Sequence, residues 1–532
     1  MNARLRAVCD LSVADVREYA GLHEYDGVLQ DLSPAGVASG LSALGSGPAE
    51  PDPHDEAHLR AAEAGARVWF GEAEDHRRNP LAHLANLDLA CYDREYAPSD
   101  ERADARRRHL VAWPDAVDGA IESLDRVPSP VAASLLPAAR GLAAGLVSEA
   151  SGGRTAGGPA AGARTAAGAR TAESEETSPA SHDEVRAALS AHERLVAHLE
   201  RAVQDGPPSV ALGGRLLARL MGEPEATAVD LGLLSARADA EGRRLGALLS
   251  AACEVLRPGA PPAQVLAELL SDTPDVEEIY SEARAQIAEV TAFTIGADLL
   301  GDPGGECLVG PAPPSRRWAM AMMSWTAPHE ADAPARYYVN PPDPAWTATE
   351  QSEWLSVFCP TTLPAITAHE VTPGHYAHGR MLRQLPSPVR RTLFSSAFVE
   401  GWAHYGEELL LEEGFRAGDP RFAIGVSLEA LVRVTRLAVA IGLHTEAMSM
   451  DEAVRLFEER AFLRGPAARA EAERAAYDPT YGRYTWGKLE IRALRDEAVA
   501  RWGLRYSHRR FHEALLSLGA PPLGLMGDAF GD

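Results

Sequence analysis

ITAHEVTPGHYAHGRML, residues 366–382, decides how this chain is read. It opens like the helix of a zinc protease, with His369 followed by Glu370. Position 373, where the pattern H-E-x-x-H requires a second histidine, is proline. The next histidine is His375. Each helical residue turns about 100°, so six residues turn about 600°, or about 240° net. Two histidines so spaced on a straight helix face different sides and cannot share a metal. Pro373 lacks the N–H that would bond the carbonyl of His369, and its ring crowds that turn. Gly374 permits backbone angles that other residues avoid. A kink or bulge is therefore expected at 373–374, swinging His375 back toward His369. The same pair can also simply end a helix, with His375 as its cap.

The dipeptide alone carries no weight, because His-Glu also begins at 23, 192, 329 and 512. HERLVAH, 192–198, even repeats the six-residue spacing. It has no breaker, and Leu189, Val196, Leu199 and Val203 recur around it at helical spacing. It reads as an unbroken, solvated helix.

A third ligand lies downstream. SSAFVEGWAHYGEELLLEEG, 395–414, places Glu400 25 residues beyond His375. Zinc hydrolases with two histidines and a glutamate leave one position open for water. His404 follows Glu400 by four residues, on the same helix face, and Glu407 lies a further turn along. Both can orient the ligands from behind. The competing reading is an acidic helix surface, since Glu407, Glu408, Glu412 and Glu413 form a run. Trp402, Gly401 and Ala403 argue against a fully solvated face around Glu400. With one zinc ion on His369, His375 and Glu400, Glu370 is the candidate general base.

Further out, the chain reads as mostly helix, with few aromatics (6%) and 46% apolar residues. SVADVREY, 12–19, opens with Ser12 and Asp15, a candidate capping box, and Ser449 to Glu452 forms another. The stretches 52–70 and 116–124 read as helix, as does 276–300. TWGKLEIRALRDEAVARW, 485–502, puts Ile491, Leu494 and Ala498 on one face. RRWAMAMMSW, 316–325, and ARYYVNPPDPAW, 335–346, are the strand candidates. The prolines after Asn340 suit an edge strand or its exit. Residues 148–184, rich in glycine, alanine, serine and threonine, read as a disordered linker or insertion. It separates a helical region, 1–147, from 185–532, and the two are expected to pack as one catalytic unit.

Net charge is −25, from 76 acidic and 51 basic residues, which argues against nucleic acid and anionic membranes as partners. The cysteines at 9, 91, 253, 307 and 359 are odd in number and contain no C-x-x-C, which points to reduced thiols in a cytoplasm. Asp10, Asp15 and Glu18 interrupt any signal-peptide core, and no apolar window of about 18 residues is present.

The two motifs resemble a bacterial family catalogued as domain of unknown function 885, which is grouped with the zinc metallopeptidases of the two-histidine, one-glutamate type. Its pattern H-E-x-x-P-G-H matches 369–375, and E-G-W-A-x-Y matches 400–405. The segments 21–34, 79–89, 337–344, 441–454 and 484–498 are similar as well. The run HYAHGR after the motif and Met448 depart from it. The resemblance implies a mainly α, multi-helix metallopeptidase-like fold with a deep cleft and a small β-sheet beside the active-site helix. It implies zinc-dependent hydrolysis of peptides, and it suggests Tyr484 and His444 as catalytic residues facing the metal. Tyr481 competes for the tyrosine role.

The leading expectation is a cytoplasmic zinc peptidase acting on small or unfolded peptides. An edge strand at 335–340 can pair with an extended peptide. Asn340, Arg436 and Lys488 are the candidate substrate-binding residues, with Arg433 beside them for a peptide carboxylate. One alternative is a metal-dependent enzyme acting on a specialised small molecule. Another, of a different class, is a metal-free helical interaction protein.

Overall fold

The structure, a computed structural model, describes residues 1–144, 146, 180–317 and 319–530. The expected linker lies outside the described residues up to 179. Its last three residues, His182, Asp183 and Glu184, form the first turn of a helix.

The elements that build the site are the helices α1 (His182–Asp205), α2 (Leu231–Leu256), α3 (Pro262–Leu269) and α4 (Val276–Gly296), and then the strands β1 (Cys307–Gly310), β2 (Ala321–Ser324) and β3 (Ala335–Val339). There follow α5 (Ala348–Leu355), α6 (Leu363–Glu370), α7 (His375–Leu382), α8 (Ser396–Glu412) and α9 (Pro420–His444). Last come α10 (Met450–Ala461), α11 (Gly465–Tyr477) and α12 (Arg483–Trp502). Local chemistry sets many starts: reciprocal capping boxes open α1, α4, α5 and α10, from Ser181, Asp275, Thr347 and Ser449. The box expected at Ser12 does not form; a three-residue turn there runs into the π-helix Val16–Ala20.

The protein is mainly helical, with one small sheet in the order β1-β3-β2. β3 pairs parallel with β1 and antiparallel with β2, and Tyr337 faces Val309 on one side and Met323 on the other. The strand expected at the edge is therefore central. The prolines after Asn340 mark its exit, and the strand edge nearest the histidine motif belongs to β2. Ala335, Tyr337 and Val339 point into the core, at period two.

α6 lies at the centre, and all eight of its residues are buried. It packs between α4, α8, α9 and β2. α8 and α12 approach at backbone distance: a Cβ on Gly401 would stand 2.5 Å from the backbone of Gly487, and one on Gly487 2.0 Å from the carbonyl oxygen of Ala397. A second core joins the two ends of the chain, packing Trp113 and Leu195 with Phe457, Tyr481 and Tyr484.

The lookalike at 192–198 sits in unbroken α1. The helix is not a solvated one: its buried face is Ala188, Ala191, His192, Leu195 and Leu199, one step from the expected stripe. His192 and His198 bond the backbone carbonyls of Ala139 and Leu124, each at 2.8 Å, so each is a packing histidine.

Candidate metal centre

The expected kink is a complete break. α6 ends at Glu370, Val371 leaves helical angles (φ −108°, ψ −88°), and α7 begins at His375. The Thr372–Pro373 peptide is cis. A Cβ on Gly374 would lie 1.8 Å from the carbonyl oxygen of His369, so only glycine fits there. The turn is held from outside: Trp402 donates its indole N–H to the carbonyl of Pro373 at 2.8 Å. A Cβ on Gly406 would meet the Pro373 ring at 2.8 Å. The tryptophan of the second motif thus shapes the first.

The break brings the imidazoles of His369 and His375 edge to face, ring centres 4.7 Å apart. Glu400 Oε2 stands 3.5 Å from His369 Nε2 and 3.3 Å from His375 Nε2. Among the described residues, these three are the group whose ligand atoms all lie within 4.8 Å of one another. Donors about 2.0–2.2 Å from a tetrahedral zinc stand about 3.4 Å from each other. The spacing and the donor types fit zinc. Glu400 Oε2 is buried without a hydrogen bond, as an atom facing a cation site would be. Burial would raise the Glu400 carboxyl, but the adjacent imidazoles of His369 and His375 hold it well below the usual carboxylate range.

Behind His369, Nδ1 donates to Glu407 Oε1 at 2.7 Å, which leaves Nε2 facing the site. Glu407 is fully buried and lies 3.2 Å from the Arg433 guanidinium. Burial opposes its charge; Arg433, His404 and His369 overcome this and keep it ionised. Arg433 also bonds Glu429 at 2.8 Å. His404 Nδ1 approaches Glu407 to 3.4 Å, and burial drives its pKa down to about 3. Of the acidic run, Glu407 and Glu408 face inward, and Glu412 and Glu413 are exposed.

Glu370 is buried, with Oε2 unpartnered, and lines a cavity beside His369. Burial pushes its carboxyl up to about 7; His375 pulls it down and Glu400 adds to the rise. A group poised near neutrality can both take and return a proton. Tyr484 lines the same cavity, its ring parallel to that of His369 at 6.2 Å. Arg436 lies over the rings of Tyr481 and Tyr484, at 4.6 and 4.7 Å, and is clamped by Glu471 at 2.6 and 2.7 Å. Tyr481 is fully buried and donates to Glu471 at 3.0 Å, which spends its hydroxyl on the arginine clamp.

Three expected residues stand elsewhere. His444 places both ring nitrogens against backbone carbonyls, Val210 at 3.1 Å and Ala475 at 2.9 Å, and does not face the metal site. Lys488 is buried between Glu241, at 2.6 Å, and Glu408, at 3.1 Å, with both carboxylates also paired to Arg244. It is an internal ion pair, not a substrate contact. Asn340 ties the strand connections together: its amide donates to the Ala319 carbonyl and its oxygen accepts from Ala312 N at 3.3 Å. Neither end is free for a peptide. Of the residues expected to meet substrate, Arg436 and Arg433 line the cavity, both paired to buried carboxylates.

Motif reading missed Trp325, whose ring centre lies 6.4 Å from that of His375 and 5.7 Å from that of Tyr19. Tyr19 comes from the π-helix near the N-terminus, a feature common at functional sites. No spacing rule links either residue to position 375.

The family profile described as "Bacterial protein of unknown function (DUF885)" matches residues 16–529. The chain belongs to this family. Two solved structures share the DUF885 chain's fold. One, described as "a putative lipoprotein of unknown function" from Shewanella oneidensis, is 19% identical, with 100% of this chain and 98% of that one covered at a TM-score of 0.73. The other, a "putative lipoprotein" from Colwellia psychrerythraea, is 16% identical, with 99% and 97% covered at 0.76. No curated protein matches the chain. Among the described residues, no helix is long and apolar enough to cross a membrane.

Proposed function

We propose that this DUF885 chain is a zinc-dependent hydrolase that cleaves amide bonds in small or unfolded peptides. The observation that carries the reading is the convergence of His369, His375 and Glu400, with Glu370 unpartnered beside them. In this reading the fold is metallopeptidase-like and the metal sits at the base of a cleft. Zinc held by the three ligands supplies a Lewis acid and activates water at neutral pH.

The chain's own residues then move the protons. Glu370 takes a proton from the attacking water and returns it to the departing amine. The Tyr484 hydroxyl donates to the oxygen of the attacked carbonyl, where negative charge develops. Glu407 fixes the tautomer of His369. The free edge of β2, which reaches the cavity at Ala321, takes the peptide backbone in place of β3. Unpaired cysteines, four of five buried, support a cytoplasmic setting.

The test is a peptide library presented to zinc-loaded protein and to Glu370→Gln. Cleavage by the first and retained zinc without cleavage by the second are expected. Zinc bound with no peptide cleaved would favour a specialised small-molecule substrate.

A further inference from the structure

Arg436, on α9, belongs to a frame of contacts around one tyrosine. Its Nε and Nη2 bond the two carboxylate oxygens of Glu471, on α11, at 2.6 and 2.7 Å. Glu471 is buried and also accepts from the Tyr481 hydroxyl at 3.0 Å. The guanidinium carbon of Arg436 stands 4.6 Å from the ring centre of Tyr481, which closes the frame, and 4.7 Å from that of Tyr484. The Tyr484 ring meets that of Tyr481 edge to face, at 5.8 Å and 87°.

The backbone holds the same geometry. Tyr481 and Tyr484 flank Gly482 and Arg483. A Cβ on Gly482 would stand 2.9 Å from Leu437 Cα, so the turn between the two tyrosines lies directly on α9, one residue beyond Arg436. Arg483 is anchored by both oxygens of Asp478, at 2.7 and 2.8 Å. The Tyr484 ring is thus fixed from α9 and from the turn before α12, and it lies parallel to the His369 imidazole at 6.2 Å. Tyr481 commits its hydroxyl to Glu471, whereas the Tyr484 hydroxyl has no hydrogen-bond partner among the described residues.

We propose that Arg436 is a positioning residue for Tyr484 and not a substrate contact, an inference that rests on the peptidase reading above. A phenol that donates to a developing oxyanion gains negative charge on its own oxygen. A guanidinium within about 6 Å of the ring centre is drawn to the ring and stabilises that charge, most of all where water is excluded. The paired bonds to Glu471 and the stack on two rings both use the guanidinium plane, which lysine lacks. Arg436 therefore acts on turnover through Tyr484, and binding of the uncleaved peptide does not depend on it.

The experiment measures kcat and KM for one cleaved peptide on the zinc-loaded full chain, Arg436→Lys, Arg436→Met with Glu471→Gln, Tyr484→Phe, and each Arg436 variant combined with Tyr484→Phe. The paired variant leaves no unpartnered charge at Glu471, and zinc content and thermal melts identify the folded, loaded proteins. Tyr484→Phe alone should lower kcat about 100–1,000-fold. Each Arg436 variant should lower kcat about tenfold or more and leave KM unchanged. Once Tyr484→Phe is present, the same changes should alter kcat by less than about twofold. A second readout needs no turnover. A phosphinic peptide, whose anionic oxygen takes the place of the attacked carbonyl oxygen, should bind Arg436→Lys more weakly by the factor lost in kcat/KM. The uncleaved peptide should bind Glu370→Gln equally with and without Arg436→Lys, both read by calorimetry. A raised KM with unchanged kcat, an unchanged kcat in both Arg436 variants, or the same loss of kcat with and without Tyr484→Phe overturns this inference and leaves the peptidase reading standing. No cleavage of any peptide by the unaltered zinc-loaded chain overturns both.

Discussion

His369 donates its Nδ1 hydrogen to Glu407 across 2.7 Å, so a carboxylate with no exposure to solvent sets which nitrogen of the first ligand faces the site. Glu407 in turn rests on Arg433. Removing such a partner typically weakens metal binding about 10–100-fold. Glu407→Gln should show a loss in this range, measured by chelator competition, and Glu407→Ala a larger one. An unchanged zinc Kd in both would remove Glu407 from the metal's support.

Gly374→Ala should abolish zinc binding. The added Cβ meets the His369 carbonyl oxygen at 1.8 Å and its carbon at 2.5 Å, so the turn that aligns the two histidines must open. Gly246→Ala is the control, since a Cβ there meets nothing within 4 Å in mid-helix, and up to about 1 kcal/mol of stabilisation is expected. Zinc titration and thermal melts of the two variants check this pair of outcomes. Full zinc affinity in Gly374→Ala would contradict the geometry of the break.

Lys488→Met should reduce stability, not substrate affinity. Removing one partner of a buried ion pair costs about 3–5 kcal/mol; the arginines left on Glu241 and Glu408 favour the lower end. The acid limb should change too. Burial would raise Glu241, but Arg244 and Lys488 hold it at about 2, below the ordinary 4.5. A carboxyl lowered on folding stabilises above its unfolded pKa and loses that stabilisation as pH falls through the folded one. The unaltered chain should therefore lose this contribution between pH 4.5 and about 2, and Lys488→Met should lose less over that window. Urea unfolding at several pH values measures both effects. A raised KM with unchanged stability would return Lys488 to the substrate site.

His444→Ala should cost about 1–3 kcal/mol, because it strips a partner from the buried carbonyls of Val210 and Ala475. kcat and zinc content should stay as they are, since the side chain does not reach the metal site. Loss of turnover in a folded, zinc-loaded His444→Ala protein would contradict its placement.

The residues that were legible in the sequence carry their geometry locally. Pro373 and Gly374 announce a break between two histidines, and the four-residue step from Glu400 to His404, with Glu407 a turn further, puts these residues on computable helix faces. The residues that were not legible take their role from distant partners. Lys488 looks like a free cation until α2 supplies Glu241, and His444 looks like an active-site histidine until Val210 and Ala475 occupy both its nitrogens. Asn340 and its strand failed for a related reason. A single strand does not reveal how many neighbours it has, and β1, only four residues long, carries little pattern of its own. The mainly helical class and the small sheet before the motif needed only composition and periodicity, so they could be read directly.

The most direct measurement is the zinc content of the purified chain and of His375→Ala, with X-ray absorption on the loaded protein. One zinc per chain is expected, held by two imidazole nitrogens and a carboxylate oxygen at about 2.0–2.2 Å and lost in the variant. Zinc well below one per chain, or zinc retained in full by His375→Ala, would contradict the metal centre on which the proposed hydrolysis depends.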